Sequence, residues 1–347
     1  LIRVNTGVKD SPGNSLSEQW TISNGFTTSA WTYITNNQIS ASGISNLIHD
    51  NSSFYISYYN KEDNGTYRNK LYIAKKSDND SINTWDTYDT NLTEGVNSTK
   101  QVVSVDLTLY NNKLIIVWSE VASTYVHALK AAYLDNISNL TSWTALDNGS
   151  TYGIESDFPE YSATDAKFFV ANSKLHLFYK DGDTQARVFN GNFASPSWDS
   201  IDGTLLGTID AGASPVAVLH DSKIYMAASR NHQGGIIVSV FNGDYDSPSW
   251  TTVDGVSGEV SGISPYGYKH KPSLTTFNSN LYLTFWASGS NKYRIMMYKY
   301  NNNDSSPSWE KLFASGYTYY DQSHNNIQHP TSIVYDNREY VITESEN

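Results

Sequence analysis

One phrase is written three times in this chain: an aromatic residue, an Asn-rich turn and then Ser-Pro-Ser-Trp. It reads FNGNFASPSW at 189–198, FNGDYDSPSW at 241–250 and YNNNDSSPSW at 300–309. Six of the nine tryptophans stand in comparable settings, at steps of 54, 58, 55, 52 and 59 residues: Trp31, Trp85, Trp143, Trp198, Trp250 and Trp309. A repeat of this length indicates supersecondary units that share their cores with their neighbours.

Each repeat contains short alternating segments separated by Asn, Asp, Ser and Gly, such as NSKLHLFYKD at 172–181 and NSNLYLTFWA at 278–287. Four such strands fit into each unit, which predicts an all-β, six-bladed β-propeller of four-stranded antiparallel blades. We expect residues 1–347 to form this single domain. The predicted blades are 41–97, 99–150, 155–205, 206–256, 262–315, and 320–347 together with 1–35.

The two termini predict how the ring closes. The last segment, QHPTSIVYDNREYVITESEN, supplies only the first two strands of a blade, and the segments LIRVNTG and SAWTYITN resemble the missing third and fourth. A blade closed by strands from both termini leaves no open sheet edge. We expect the repeated Trp to begin the outermost strand of its blade and to pack against the neighbouring blade.

Charge and composition narrow the classes of function. The net charge of −12 argues against binding to nucleic acid, which needs clustered Lys and Arg. No apolar run reaches the length of a membrane span, and cysteine is absent. The Asn- and Tyr-rich chain opens at Leu1 without Met. We therefore expect a monomeric fragment or mature form of a bacterial protein that is secreted or held at the cell surface.

The regular repeat allows equivalent positions to be compared between blades. At the entry of the innermost strand these are Ile44, Ser104, Asp165, Ser214, Lys271 and His329. At the end of the second strand they are Asn60, Glu120, Asp181, Arg230, Ala287 and Ser345, preceded by aromatic residues that include Tyr59, Trp118, Tyr179 and Trp286. Positions that hold only the fold should look alike in every blade, so these varied positions predict a ligand site at one mouth of the central channel.

Aromatic faces beside carboxylates, amides and a guanidinium suit sugars, because C–H faces stack on rings while hydroxyls meet fixed donors and acceptors. The loops 155–165, 264–273 and 317–330 are expected to meet at the same mouth. For Trp118 and Tyr179, packing between blades is an equally weighted alternative. The predicted ligand-binding residues are Asp165, Tyr268, His270, Lys271, His329, Glu160, Trp118, Glu120, Tyr179, Asp181, Arg230 and Trp286.

The repeat architecture resembles the six-bladed, lectin-type and sialidase-like propellers of bacteria and fungi. The stretch SDNDSINTW at 77–85 is similar to a degenerate Asp-box, with Asn79 and Ser81 replacing its Asp and Gly. In that family the box is structural and lies away from the active site. Fucose-binding propeller lectins repeat an Arg, a Glu and a Trp in nearly every blade. Here Arg230, Glu120 and Trp286 each stand near the end of a second strand, in three different blades. The resemblance therefore implies one or two sugar sites instead of six.

Non-catalytic carbohydrate recognition is the predicted function, and no catalytic residue or cofactor is expected. Nucleophile-elbow, Walker and dinucleotide fingerprints are absent from the sequence. No spacing motif indicates a metal site. A metal held by His270, His329 and Asp165 stays an open alternative. A sialidase-like glycoside hydrolase is the first alternative, for which two carboxylates about 5–10 Å apart would be needed. The second alternative is a protein-interaction scaffold, such as a toxin-associated or adhesin propeller.

Overall fold

The computed structural model describes residues 43–61, 69–79, 85–92, 101–123, 126–147, 153–154, 163–203, 215–229, 236–253, 272–289, 292–314, 318–319, 327–335 and 338–345. All 24 elements named within these ranges are β-strands. In this part of the chain, no helical segment has the length and apolar character that a membrane crossing requires.

Five sheets follow one another along the chain, and we call them blades 1 to 5. Blade 1 contains β1 (Gly43–Ile44), β2 (Ile48–His49), β3 (Ser53–Lys61), β4 (Asn69–Ser77) and β5 (Asp86–Asp89). Blade 2 contains β6 (Val102–Tyr110), β7 (Lys113–Ser123), β8 (Val126–Leu134) and β9 (Thr144–Ala145). Blade 3 contains β10 (Thr164–Ala171), β11 (Lys174–Asp181), β12 (Asp183–Phe189) and β13 (Trp198–Ser200).

Blade 4 contains β14 (Val216–His220), β15 (Lys223–Ser229), β16 (Ile236–Phe241) and β17 (Trp250–Thr252). Blade 5 contains β18 (Ser273–Phe277), β19 (Asn280–Gly289), β20 (Lys292–Tyr300) and β21 (Trp309–Ala314), and β22 (Thr318–Tyr319) also pairs with β20. A C-terminal hairpin follows, made of β23 (Ile327–Tyr335) and β24 (Arg338–Ser345). Within these blades the strands pair antiparallel and in chain order, except that β1 and β2 both pair with β3 and that β22 pairs with β20.

Turn chemistry explains why the first two strands of each blade form a hairpin. In blades 2 to 5 the two turn residues both adopt positive φ, between 46° and 62°. These pairs are Asn111–Asn112, Asn172–Ser173, Asp221–Ser222 and Asn278–Ser279. Two consecutive left-handed residues make the tight turn that matches the twist of a two-stranded ribbon, and Asn and Asp tolerate this conformation best among residues with a side chain.

The first strands of successive sheets contact one another: β1 with β6, β6 with β10, β10 with β14, β14 with β18, and β18 with β23. The blades therefore radiate from one axis with their first strands innermost. The prediction of an all-β propeller built from four-stranded antiparallel blades is confirmed. The predicted count of six blades and the closure by residues 1–35 lie outside the described residues.

Three of the repeated tryptophans tie their blade to the one before it. Trp198, Trp250 and Trp309 each begin the outermost strand of their blade, as predicted. Their indole N–H groups donate to carbonyls of the preceding blade: Trp198 to Leu146 at 2.9 Å, Trp250 to Ile201 at 2.7 Å and Trp309 to Val253 at 2.7 Å. Trp143 differs, since its indole donates to Leu140 of its own blade at 2.9 Å.

The Asn of the repeated phrase forms the turn that leads to each of these tryptophans. The side-chain amides of Asn190, Asn242 and Asn301 donate to the carbonyl five residues later, at 2.8–2.9 Å. Their side-chain oxygens accept the backbone N–H two residues later, as in an Asx turn. The central residues of the Asp-box-like stretch, 80–84, lie outside the described ranges.

Candidate functional site

The central channel brings equivalent positions of neighbouring first strands together. Asn46, Asp106 and Lys167 each stand eight residues before the first apolar residue of the second strand, Phe54, Leu114 or Leu175. One carboxylate oxygen of Asp106 accepts the Lys167 ammonium at 3.4 Å and, at 3.5 Å, the backbone N–H of Asn46. The other oxygen accepts the backbone N–H of Phe168 at 2.8 Å. A single carboxylate therefore joins blades 1, 2 and 3.

The two charged side chains in this contact, Asp106 and Lys167, differ in how deeply they are buried. The Asp106 side chain is only 1% exposed, whereas 33% of the Lys167 side chain remains exposed. A buried carboxylate is tolerated when it is paired and hydrogen-bonded, and Asp106 satisfies both conditions. Asp106 therefore holds the blades together, and the Lys167 side chain stays partly open to solvent.

The entries of three first strands are irregular in the same way. Register shifts interrupt the pairing of β6 with β7 between Val102 and Ser104, of β10 with β11 between Thr164 and Lys167, and of β23 with β24 between Gln328 and Thr331. These shifts fall at the column predicted from the sequence, at Ser104, Asp165 and His329. Such bulges re-aim side chains and are common beside functional sites. Asp165 adopts a positive φ of 53°, and its side chain is partly exposed.

Tyr59 connects blade 1 to this region. Its hydroxyl donates to the carbonyl of Val103 in β6 at 3.1 Å. Burial raises the pKa of Tyr59, and the negative charge of Asp165 raises it further. The two side chains are thus close enough to interact electrostatically, although they belong to blades 1 and 3. The Ser104 hydroxyl donates to that of Ser119 at 3.0 Å and completes a polar surface at the strand entries.

Trp118 and Glu120 lie together between blades 1 and 2. The Trp118 indole N–H donates to a Glu120 carboxylate oxygen at 3.0 Å. Trp118 is 4% exposed and Glu120 6% exposed, and the Trp118 ring belongs to an apolar cluster that contains Tyr55 and Leu71 of blade 1. The structure thus places the Trp118 ring in a packing position between blades, and this ring orients a carboxylate at the end of β7.

Tyr179 and Asp181 lie at the corresponding end of β11. Tyr179 is fully buried between blades 2 and 3, and its hydroxyl has no hydrogen-bond partner. The guanidinium of Arg187 lies 5.7 Å from the centre of this ring and is ion-paired with Asp202. Asp181 is partly exposed at a tight turn where it pairs with Asp183. Tyr179 therefore packs between blades, and Asp181 can be reached by solvent.

The remaining predicted residues cannot be placed in the same detail. Glu160, Arg230, Tyr268, His270 and Lys271 lie outside the described residues. Trp286 is in β19 and His329 in β23, and only their backbone is described. Within the described ranges, no three His, Asp or Glu side chains converge as metal ligands would.

Asp106 and Lys167 are not among the residues predicted from the sequence. They can be found by comparing the blades at the column two residues further along the first strand. That column reads Asn46, Asp106, Lys167, Val216, Ser273 and Thr331, so its charges are confined to blades 2 and 3.

No protein-family model and no curated protein matches this sequence. Among solved structures, the Trypanosoma rangeli sialidase in complex with sialic acid is similar, with a TM-score of 0.54 and 10% identity. The match covers 87% of this chain and 51% of the sialidase, so this chain spans about half the length of that enzyme.

Two further solved structures resemble the chain with lower scores. A family 117 glycoside hydrolase from the marine bacterium Zobellia galactanivorans has a TM-score of 0.44 and 12% identity, over 67% of this chain and 72% of that one. A GH43 β-xylosidase/α-arabinofuranosidase from a compost microbial metagenome has a TM-score of 0.42 and 13% identity, over 79% of this chain and 95% of that one. Of the three, the sialidase alone exceeds 0.5, and at its low identity it supports the fold only. The chain is a β-propeller of the kind found in that sialidase.

Proposed function

We propose that this protein recognises carbohydrate at the channel mouth where the first strands of blades 2 and 3 begin, without cleaving it. The observation that carries this proposal is the pair of partly exposed charges, Lys167 and Asp165, at bulged strand entries. Buried Asp106 fixes Lys167 from below. A cation and a carboxylate two residues apart on β10 can donate to and accept from sugar hydroxyls, which do both.

The predicted loop residues extend this surface. In the sequence, Tyr268, His270, Lys271, His329 and Glu160 precede or stand near the start of the first strands of their repeats, so we propose that they meet at this mouth. We propose that aromatic and imidazole groups from these segments supply stacking faces beside the charges of blades 2 and 3. We further propose that the ligand is a glycan on a cell surface or a secreted polymer.

Absence of catalysis is proposed because the described groups best suited to it already have structural partners. Asp106 accepts three hydrogen bonds, Glu120 accepts the Trp118 indole, and Arg187 is ion-paired with Asp202. A general acid or base must exchange protons with a substrate, which requires an accessible oxygen.

A glycan array followed by analysis of released sugar tests the proposal. Binding of one glycan class without release of a smaller sugar is the expected result. Release of sugar from a bound glycan would show that the protein is an enzyme. No binding across the array would favour the protein-interaction scaffold.

Glu120 favours a glycoside hydrolase as the second candidate. Its carboxylate lies towards the end of β7, and Asp181 holds the equivalent position in β11, so two neighbouring blades each place a carboxylate in this column. The similar solved structure from Trypanosoma rangeli is a sialidase in complex with sialic acid. For this function Asp165 or Asp181 would supply the second carboxylate. A Glu120→Gln variant that abolishes release while preserving binding would establish it.

A further inference from the structure

A cavity of about 410 Å³ lies at the opposite end of the ring, over the turns of blade 4. Blade 4 contributes its β14–β15 turn and its β16–β17 turn, including Ser222, Lys223 and Gly243. Blade 5 contributes Asp304 and Ser305, and blade 3 contributes Asn172. The volume is within the range of about 300–1,000 Å³ that small-molecule sites occupy.

The repeat explains why this cavity exists. In the turn before each repeated Trp, one position reaches back over the hairpin of the preceding blade. In blade 3 it is Phe193, whose ring lies 5.0 Å from the Lys113 ammonium. In blade 4 it is Tyr245, whose ring lies 4.6 Å from the Lys174 ammonium. In blade 5 the equivalent residue is Asp304, which contacts the equivalent Lys223.

Asp304 is much shorter than the rings that occupy its position in the other two blades. Its carboxylate accepts the Lys223 ammonium at 2.5 Å, the Tyr225 hydroxyl at 2.8 Å and the Tyr300 hydroxyl at 2.9 Å. Burial alone would raise the pKa of Asp304, but the hydrogen bonds from Lys223, Tyr225 and Tyr300 outweigh it and lower the pKa. The result is an ionised, oriented carboxylate at the edge of an open space.

We propose that this cavity is a second ligand site, separate from the channel mouth, which takes a neutral polyhydroxylated molecule of one or two sugar rings. Lys223 and Asp304 offset each other in charge, so neither an anion nor a cation is favoured. Ser222, Thr251 and Ser305, which carry hydroxyl groups, also line the cavity. Ligand hydroxyls match such a wall because each can donate to the carboxylate and accept from the ammonium or a serine.

The test restores the aromatic residue of the repeat. Saturation-transfer NMR is recorded on the full chain with free glucose, galactose, mannose, fucose and N-acetylglucosamine, each at millimolar concentration. Asp304→Tyr should fill the cavity and remove the signal of at least one of these sugars. Asp246→Tyr is the matched control, because Asp246 is an exposed residue of the equivalent turn in blade 4 and does not line the cavity. The control should keep the wild-type signal.

A second variant covers the case in which Asp304→Tyr fails to fold. Thr251→Trp fills the cavity from β17 and leaves the Asp304 hydrogen bonds intact, so it should remove the same signal. An Asp165→Asn variant separates the two sites, because it alters only the channel mouth. The proposal is overturned if no monosaccharide gives a signal with the wild type. It is equally overturned if the signal survives in folded cavity-filling variants, or is lost in Asp165→Asn alone.

Discussion

The indole N–H of Trp250 donates to the carbonyl of Ile201 at 2.7 Å, across the boundary between blades 4 and 3. Trp250 is 1% exposed and packs against Phe178 and Phe241, so it joins two cores as well as two backbones. Ile201 comes directly after the outermost strand of blade 3, where its own N–H donates to Ala186. The Trp therefore fixes the edge of the preceding blade.

Trp250→Ala should lower the free energy of unfolding by roughly 3–5 kcal/mol, since it removes a large buried side chain and leaves a carbonyl without its donor. Trp143→Ala is the control, because that ring is partly exposed and bonds within its own blade. Urea denaturation measures both. Equal losses for the two variants would contradict the role assigned to the interblade bond.

Asp106→Ala should destabilise the protein by about 3–5 kcal/mol, because it leaves the Lys167 ammonium and the Phe168 N–H without their buried partner. Asp135→Ala supplies the comparison, since Asp135 pairs with Lys113 but is 65% exposed. Exposed ion pairs contribute at most about 1 kcal/mol, so this variant should stay near the wild type. If the two variants unfold at the same urea concentration, Asp106 does not join the blades.

Asp165→Asn should weaken glycan binding at the channel mouth by about tenfold while the melting temperature stays unchanged. The substitution removes the charge, keeps the shape and suits the positive φ of this position. Asp199→Asn, at an exposed site on the outer strand of the same blade, should have no effect on binding. The double variant His270→Ala, His329→Ala should abolish binding. Wild-type affinity in both channel-mouth variants would exclude this end of the ring as the site.

Acidification should destabilise the boundary between blades 3 and 4 through His176. Burial, together with the charge of Lys174, lowers the pKa of this histidine to about 4, although its bond to the Phe169 carbonyl opposes the shift. The unfolded chain therefore binds the extra proton at higher pH than the folded one. Stability should be fully retained above pH 6.5, the ordinary histidine pKa, and fall by up to about 3 kcal/mol between pH 6.5 and 4.

His176→Gln isolates this contribution, because glutamine does not titrate and can still pair with the Tyr245 hydroxyl that His176 contacts at 2.9 Å. The difference in melting temperature between pH 7.5 and 4.5 should be smaller in the variant than in the wild type. A matching difference in both proteins would mean that His176 is not responsible for the pH dependence.

Deletion of residues 1–8 should lower the melting temperature sharply, if the N-terminal segment completes the blade begun by β23 and β24. Those two strands are described as a two-stranded sheet, and an isolated hairpin is only marginally stable in water. Differential scanning calorimetry of the full and shortened chains measures the effect. Identical melting curves would refute closure by the N-terminus.

Repetition made the fold predictable from the sequence. Turn pairs such as Asn172–Ser173 and the spacing of Trp198, Trp250 and Trp309 carry local signals that the structure reproduces in each blade. The site was less predictable, because Asp106 and Lys167 lie 61 residues apart in the sequence. Their ion pair forms only when the ring brings blades 2 and 3 into contact. Burial was also hard to predict, since the alternating pattern of β7 and β11 does not reveal that Trp118 and Tyr179 are almost fully buried.

The interblade contacts made by the repeated phrase all point the same way along the chain. Trp198, Trp250 and Trp309 reach back to the preceding blade, and so do Phe193, Tyr245 and Asp304 in the turns before them. A tandem duplication of one unit, such as the 52 residues from one Trp to the next at 198–250, would therefore carry the residues that bind it to whichever blade precedes it. In a chain built this way, a gene can gain or lose a whole blade and keep this set of contacts at the boundary. The number of blades is then limited by the geometry of closing the circle.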